Sequence, residues 1–203
     1  MIDAINRAAR RVPPWSLYLA GLLPPAWLLW LAVSGGLGVE PVKALEHELG
    51  DLALKLLLAG LAITPLRRFA GINLIRFRRA LGLVAFSYVL LHLAVWLFLD
   101  VQIWSQIWAD IVKRPYITVG MAGLLLLVPL ALTSNDASMR RLGPAWRRLH
   151  RLVYAAVLLG AVHSVMVQKV WEAEPLIHLG IAAALIGLRY VPRRPAARAA
   201  GAA

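Results

Sequence analysis

Five histidines and no cysteine restrict the metal and redox chemistry open to this 203-residue chain. Without thiols there are no disulfides, thiolate zinc sites, iron–sulfur clusters or cysteine nucleophiles. Two of the histidines, His92 and His163, lie inside long apolar runs. An ionisable group kept in hydrocarbon is costly enough to be a functional candidate by default. Counted from the arginine-rich end of its run, His92 lies about 12 residues in and His163 about 14, which is ~18 and ~21 Å deep at about 1.5 Å per helical residue. Two neutral imidazoles reaching one level from separate helices can serve as the axial pair of a b-type haem, which needs two nitrogens and no covalent thiol attachment. The plainer alternative is that each ring only hydrogen-bonds a serine or a carbonyl on an adjacent helix.

His150 begins the run that contains His163, roughly 20 Å nearer the arginine-rich end and roughly 140° away around an ideal helix. It therefore needs different neighbours from His163. Level with it on the third run stand Arg78 and Arg79, which are not iron ligands. With Arg147, Arg148 and Arg151 they could neutralise haem propionates or a flavin phosphate, or only orient the chain and touch lipid. A single haem far from this end leaves a long gap, so a second redox group, haem or flavin, is expected near His150. Gly160, Ala161, Ala155 and Ala156 are small enough to let a flat macrocycle approach. His178 is expected closer to the interface and His47 in a solvated outer loop, while Lys55 can snorkel or pair with Asp51 one turn away. No Asp or Glu falls in mid-run, and there is no P-loop, Ser/His/Asp arrangement or HExxH zinc signature.

The elements that must position these residues follow from composition. Apolar residues make up 61% of the chain and charged ones 16%, an excess that calls for lipid as solvent. Six runs approach the roughly 20 residues that a bilayer core demands, at about 15–34, 49–66, 80–99, 116–133, 149–168 and 175–191. The first follows Arg10 and Arg11 but is too long, and too poor in a small-residue cleavage site, for a secretory signal. Pro24, Pro25 and Pro129 should bend their helices. With the N-terminus inside, the inner segments collect 17 of the 22 basic residues and the outer ones eight of the ten acids. Positive residues resist translocation, so the reading is an all-α integral membrane six-helix bundle with both termini cytoplasmic. The net charge of +12 is then a topology signal with anionic-lipid contact as its second role, and nucleic acid is not an expected partner. Residues 1–14 form a cytoplasmic segment, 15–191 the membrane domain and 192–203 a loose tail. Trp15, Trp104, Trp108, Tyr116, Trp146, Trp171 and Tyr190 fall near run ends, as interfacial anchors do.

Several stretches jointly carry a resemblance. They are GVEPVKALEHELG from Gly38, ALKLLLAGLAITPLRR ending at Arg68, RFRRALGL from Arg76, LLHL around His92, RPYITVG from Arg114, LTS at Leu132, LGPAWRRLHRLVY from Leu142 and LRY at Leu188. Over about residues 10–191 the chain resembles the haem-binding membrane subunits of bacterial periplasmic methionine sulfoxide reductase systems, within the ferric-reductase-like transmembrane superfamily. That resemblance implies a six-helix bundle in the bacterial inner membrane holding haem b, with flavin mononucleotide (FMN) as a further cofactor. It implies electrons entering from a cytoplasmic flavin reductase or from quinol. They would leave to a periplasmic molybdopterin subunit that repairs oxidised envelope proteins. The family's haem histidines fall on His92, His150 and His163. A second histidine that the superfamily often carries on the third helix is replaced here by the Arg78/Arg79 region. On this reading the chain is an electron conduit and the substrate chemistry belongs to the partner. The rivals are a quinol-oxidising anchor for another outer enzyme, a small transporter relaying protons through its histidines, and a purely structural anchor.

Overall fold

A computed structural model of the chain describes residues 1–170 and 172–192. Trp171 and the tail bearing Arg193, Arg194 and Arg198 lie outside the described residues, so the anchoring and loose-tail expectations there are not addressed. The described residues are helical and contain no strand. In chain order the helices are α1 (Ile2–Arg11), α2 (Ser16–Ser34), α3 (Pro41–Phe69), α4 (Ile75–Val101), α5 (Trp104–Lys113), α6 (Pro115–Leu132), α7 (Asp136–Leu142), α8 (Pro144–Val167) and α9 (Ala173–Gly187). Five of them, α2, α3, α4, α6 and α8, are long and apolar enough to cross a membrane. The sixth expected span, α9, is apolar but has only 15 residues, short of the roughly 20 needed for the full core.

Local chemistry explains where these boundaries depart from the hydropathy reading. The second run, expected at 49–66, is in fact the inner part of a 29-residue helix that starts at Pro41. Its first two turns are charged, which lowers hydropathy without weakening a helix, and Lys43 pairs with Glu40 at 3.0 Å. His47 therefore stands on an exposed helical face rather than in a loop. The α4–α6 connection holds an amphipathic helix, α5, with Trp104 and Trp108 exposed as interfacial side chains are. In α2 the helix stops at Ala20 and restarts at Leu23, because Pro24 and Pro25 have no amide hydrogen for the preceding turn. α1 has Asp3 in its first turn and Arg10 and Arg11 in its last, the arrangement that suits the helix dipole. It is tied to the α3–α4 turn: Asn6 donates to the Gly71 carbonyl at 3.0 Å, the Asn73 amide donates back to Asn6 at 2.8 Å, and Arg76 donates to the Arg10 carbonyl at 2.6 Å.

The bundle consists of two close antiparallel pairs, α3 with α4 and α6 with α8. Lighter contacts of α4 with α6 and of α3 with α8 close a four-helix ring, leaving α4 and α8 on its diagonal. α9 packs into the groove between α3 and α8, and α2 lies outside against α3 and α4. The central core is aliphatic, with Leu61, Ala85, Val157, Ala161 and Ala182 essentially inaccessible. At one end, Lys55 pairs with Asp51 (2.5 Å) and Glu174 (2.9 Å), bridging α3 to α9. At the other, Arg68 donates to the Leu188 and Val191 carbonyls and ties the end of α9 to the end of α3.

Candidate functional site

His92 on α4 and His163 on α8 face each other across the ring diagonal. Their ring centroids are 6.2 Å apart and the planes stand at 79°. Each Nδ1 is occupied by backbone. His92 Nδ1–H donates to the Glu46 carbonyl of α3 at 2.8 Å, and His163 Nδ1–H donates to the Tyr116 carbonyl of α6 at 2.7 Å. A carbonyl can only accept, so the proton of each neutral ring sits on Nδ1 and the lone pair on Nε2. Neither Nε2 has a hydrogen-bond partner among the described residues.

Both rings are seated by the same local device. A helical side chain covers the surface one turn toward the N-terminus of its own Cα, so the residue at k+4 normally shields the carbonyl of residue k. Four residues after Glu46 comes Gly50, and four after Tyr116 comes Gly120. A Cβ on Gly50 would stand 3.0 Å from His92 Nδ1, and one on Gly120 would stand 2.9 Å from His163 Nδ1. The absent side chains thus open the two carbonyls to the two imidazoles. Sequence reasoning missed both glycines. The available signal was that glycine weakens a helix interior by about 1 kcal/mol relative to alanine, so its presence calls for a close approach.

The spacing fits a metal between the rings. An imidazole nitrogen lies about 2.0 Å from a bound first-row metal and about 1.1 Å from its own ring centroid, so two rings gripping one ion from opposite sides have centroids about 6 Å apart. Hydrogen-bonding of each Nδ1–H to a carbonyl also supplies the outer support that metal-bound histidines usually have. The plain alternative of a carbonyl-bonded histidine and the metal-ligating one therefore coincide, since each ring uses one nitrogen for each purpose.

His150 is not part of this pair. Its ring stacks on Trp146 at 3.8 Å, and its Nε2 lies 3.1 Å from Thr133 Oγ1. Thr133 in turn donates to the Pro129 carbonyl at 2.6 Å, while Trp146 Nε1 donates to the Thr133 carbonyl at 2.9 Å. Trp146, expected as an interfacial anchor, has its ring stacked on His150. Arg79 is engaged elsewhere, paired with Asp136 at 2.5 Å, and Arg147, Arg148 and Arg151 are exposed at the same end of the bundle. His178 is buried and its Nδ1 lies 3.6 Å from Asp51, in the α3–α9 ion network rather than beside the histidine pair. The small residues before His163 serve helix packing: Ala156 and Ala161 are core residues, and Gly123 on α6 backs onto the Ala156 carbonyl and Leu159, which brings α6 and α8 close.

Comparison with known proteins gives the family. The family described as ferric reductase like transmembrane component matches residues 49–161, which run from α3 into α8, contain His92 and His150 and end two residues before His163. The chain is 51% identical over 185 residues, 91% of its length and 83% of the relative's, to the protein-methionine-sulfoxide reductase heme-binding subunit MsrQ of Brucella anthropi. It is 52% identical over 178 residues, 87% and 83% of the two lengths, to the protein of the same name from Agrobacterium fabrum. The Brucella ovis protein of that name is 49% identical over 193 residues, 92% and 88% of the two lengths. No solved structure matches the chain. A transmembrane helical bundle with an opposed histidine pair at its centre, matched along most of its length by these subunits, belongs to the ferric reductase-like transmembrane family.

Proposed function

We propose that the chain is a membrane electron-transfer subunit of a methionine sulfoxide reductase system, holding b-type haem between His92 Nε2 and His163 Nε2. The observation that carries this reading is the 6.2 Å separation of two rings whose Nδ1 atoms are both committed to backbone carbonyls. Bound haem supplies one-electron ferric–ferrous chemistry. The chain's own contribution is orientation and exclusion. The Glu46 and Tyr116 carbonyls fix the tautomer and angle of each ring, and helices α3 and α6 hold those carbonyls. The aliphatic core around Leu54, Leu57 and Val157 keeps water from the space between the pairs.

His150, stacked on Trp146 and hydrogen-bonded to Thr133, is assigned to a second redox group, haem or FMN, at the arginine-rich end. Arg147, Arg148 and Arg151 are exposed at that end and supply positive charge for propionate or phosphate, while the charge of Arg79 is met by Asp136. The resistance of basic residues to translocation supports the reading in which this end is cytoplasmic and the acidic end outside. On that orientation, in the bacterial inner membrane, electrons enter from a flavin reductase or quinol. They leave to a periplasmic molybdopterin-containing reductase that carries out the substrate chemistry.

The test is a reduced-minus-oxidised spectrum of the wild type beside His92→Ala, His163→Ala and His150→Ala. The wild type is expected to show a Soret band with paired low-spin α and β bands. These bands are lost in the first two variants and kept in the third, which instead loses the second group. Unchanged bands in either His92→Ala or His163→Ala refute the axial assignment. A wild type with a single haem and no flavin refutes the second group.

A further inference from the structure

Arg189, at the end of α9, turns inward rather than out to solvent. Its Nη2 donates to the Leu61 carbonyl of α3 at 3.1 Å, and its guanidinium lies over the Tyr154 ring of α8 with Cζ 4.7 Å from the centroid. The Leu61 carbonyl is free to accept because the residue four positions on is Pro65, which has no amide hydrogen to return to it. One part of Arg189 is thereby explained as a cap on a carbonyl that proline leaves bare. The rest is not: Arg189 Nε is buried and has no hydrogen-bond partner among the described residues. A buried donor left unsatisfied is expensive, and a charged one more so.

The surroundings sharpen the question. Tyr154 lies one turn after His150 on α8, so His150 and the Arg189–Tyr154 pair share a stretch of the same helix. Arg78, at the start of α4, stands at the same end of the bundle, where Arg68 meets the Leu188 carbonyl. Among the described residues no carboxylate comes within 4.0 Å of Arg78 or Arg189. Asp136, at this end of the bundle, is paired with Arg79. Two guanidinium groups thus stand at this end of the bundle with no paired carboxylate among the described residues, one of them beside an aromatic face and carrying an orphaned N–H. That arrangement lacks only an anion.

We propose that Arg189 and Arg78 form an anion seat over Tyr154, which receives a carboxylate or phosphate of a group bound beside His150. Guanidinium matches both anions through paired N–H donors. This rests on the second redox group proposed above, with a porphyrin propionate or a flavin phosphate as the anion. The phosphate of an anionic lipid offers the same chemistry, and the experiment separates these sources.

Full-length wild type, Arg189→Gln, Pro65→Ala and the double variant Pro65→Ala/Arg189→Gln are purified in the same detergent. Haem per chain is measured by pyridine haemochrome, flavin by fluorescence after acid release, and bound phospholipid by phosphorus content. In Arg189→Gln, affinity for one of these is expected to fall by about 10- to 100-fold, the usual effect of removing a supporting contact around a cofactor, while the low-spin bands of the His92–His163 pair persist. Loss of the second haem identifies propionate, loss of flavin its phosphate, and loss of phospholipid alone a lipid headgroup. Pro65→Ala restores the helical bond to Leu61 and removes the need for a cap, so it must not rescue the double variant. Rescue by Pro65→Ala, or full retention of all three groups in Arg189→Gln, overturns the seat. Wild type lacking both a second haem and flavin refutes the second redox group, and the phospholipid measurement then decides the seat by itself.

Discussion

Replacing Gly120 by alanine tests the reasoning about the histidine pair without touching a histidine. The added Cβ would stand 2.9 Å from His163 Nδ1 and 3.0 Å from Cε1. Ordinary contact needs roughly 3.5 Å, so the ring must retreat by about 0.6 Å. The 2.7 Å bond to the Tyr116 carbonyl then stretches beyond normal hydrogen-bond range, at about 3.3 Å. Losing a buried hydrogen bond while leaving its partners in place costs about 1–3 kcal/mol, roughly 5- to 150-fold in an equilibrium constant. The expected result is a fall in haem affinity of that size, read as haem per chain after detergent washing. The low-spin bands should also broaden or shift as the ring loses its fixed angle. Gly60→Ala is the control, since a Cβ there meets nothing within 4 Å. Gly120→Ala with the same haem content and spectrum as Gly60→Ala would show that the carbonyl and the missing side chain do not hold the ring, and the site reading would fall with it.

Gly50→Ala is expected to act on His92 in the same way, through a Cβ 3.0 Å from Nδ1, and additivity of the two variants in a haem titration checks that the rings act on one group. Gly21→Ala forces a Cβ to within 2.6 Å of Val84 Cγ1, a stiff and buried side chain. A loss of about 1–3 kcal/mol should appear as a lower thermal midpoint, and an unchanged midpoint would show that α2 is free to shift. Thr133→Val keeps the shape but removes the hydroxyl beside His150 Nε2. It should alter retention or potential of the second group while the His92–His163 bands stay fixed, as a potentiometric titration would show. The Arg79 guanidinium holds the Asp136 carboxyl below its usual value. A lowered carboxyl stabilises the fold above its unfolded value, and that contribution disappears as pH falls through the folded one. Asp136→Asn should therefore lower the melting temperature at neutral pH and converge with wild type in acid; equal curves at every pH would remove the pair from the fold's support.

The histidine pair was legible because depth in a helix is a one-dimensional quantity. Two apolar runs with ends marked by arginine place His92 and His163 at a common level before any packing is known. What holds them was not legible, since it depends on a carbonyl and an absent side chain on other helices, and neither leaves a periodic trace. Gly50 and Gly120 close two of the stretches that carry the family resemblance, yet nothing in their own helices explains them. Hydropathy also misplaced the start of α3, whose charged first turns are helical, and overextended α9. Trp146 was read as an anchor because it lies near a run's end, and only the three-dimensional stacking on His150 assigns it to a site. Arg189 was counted as one more inner positive charge. Its inward turn follows from Pro65, more than a hundred residues away in sequence.

The division of the ring into two hairpins, α3–α4 and α6–α8, has a consequence for biogenesis. Each hairpin can form as it leaves the ribosome, and beyond the light α4–α6 and α3–α8 contacts two elements clasp one to the other. One is α9, synthesised after both hairpins and wedged between α3 and α8. The other is the metal proposed to join one residue of each hairpin. Chains released before α9 is made, or made in cells starved of iron, should accumulate as two separable halves and be the first to reach the membrane proteases.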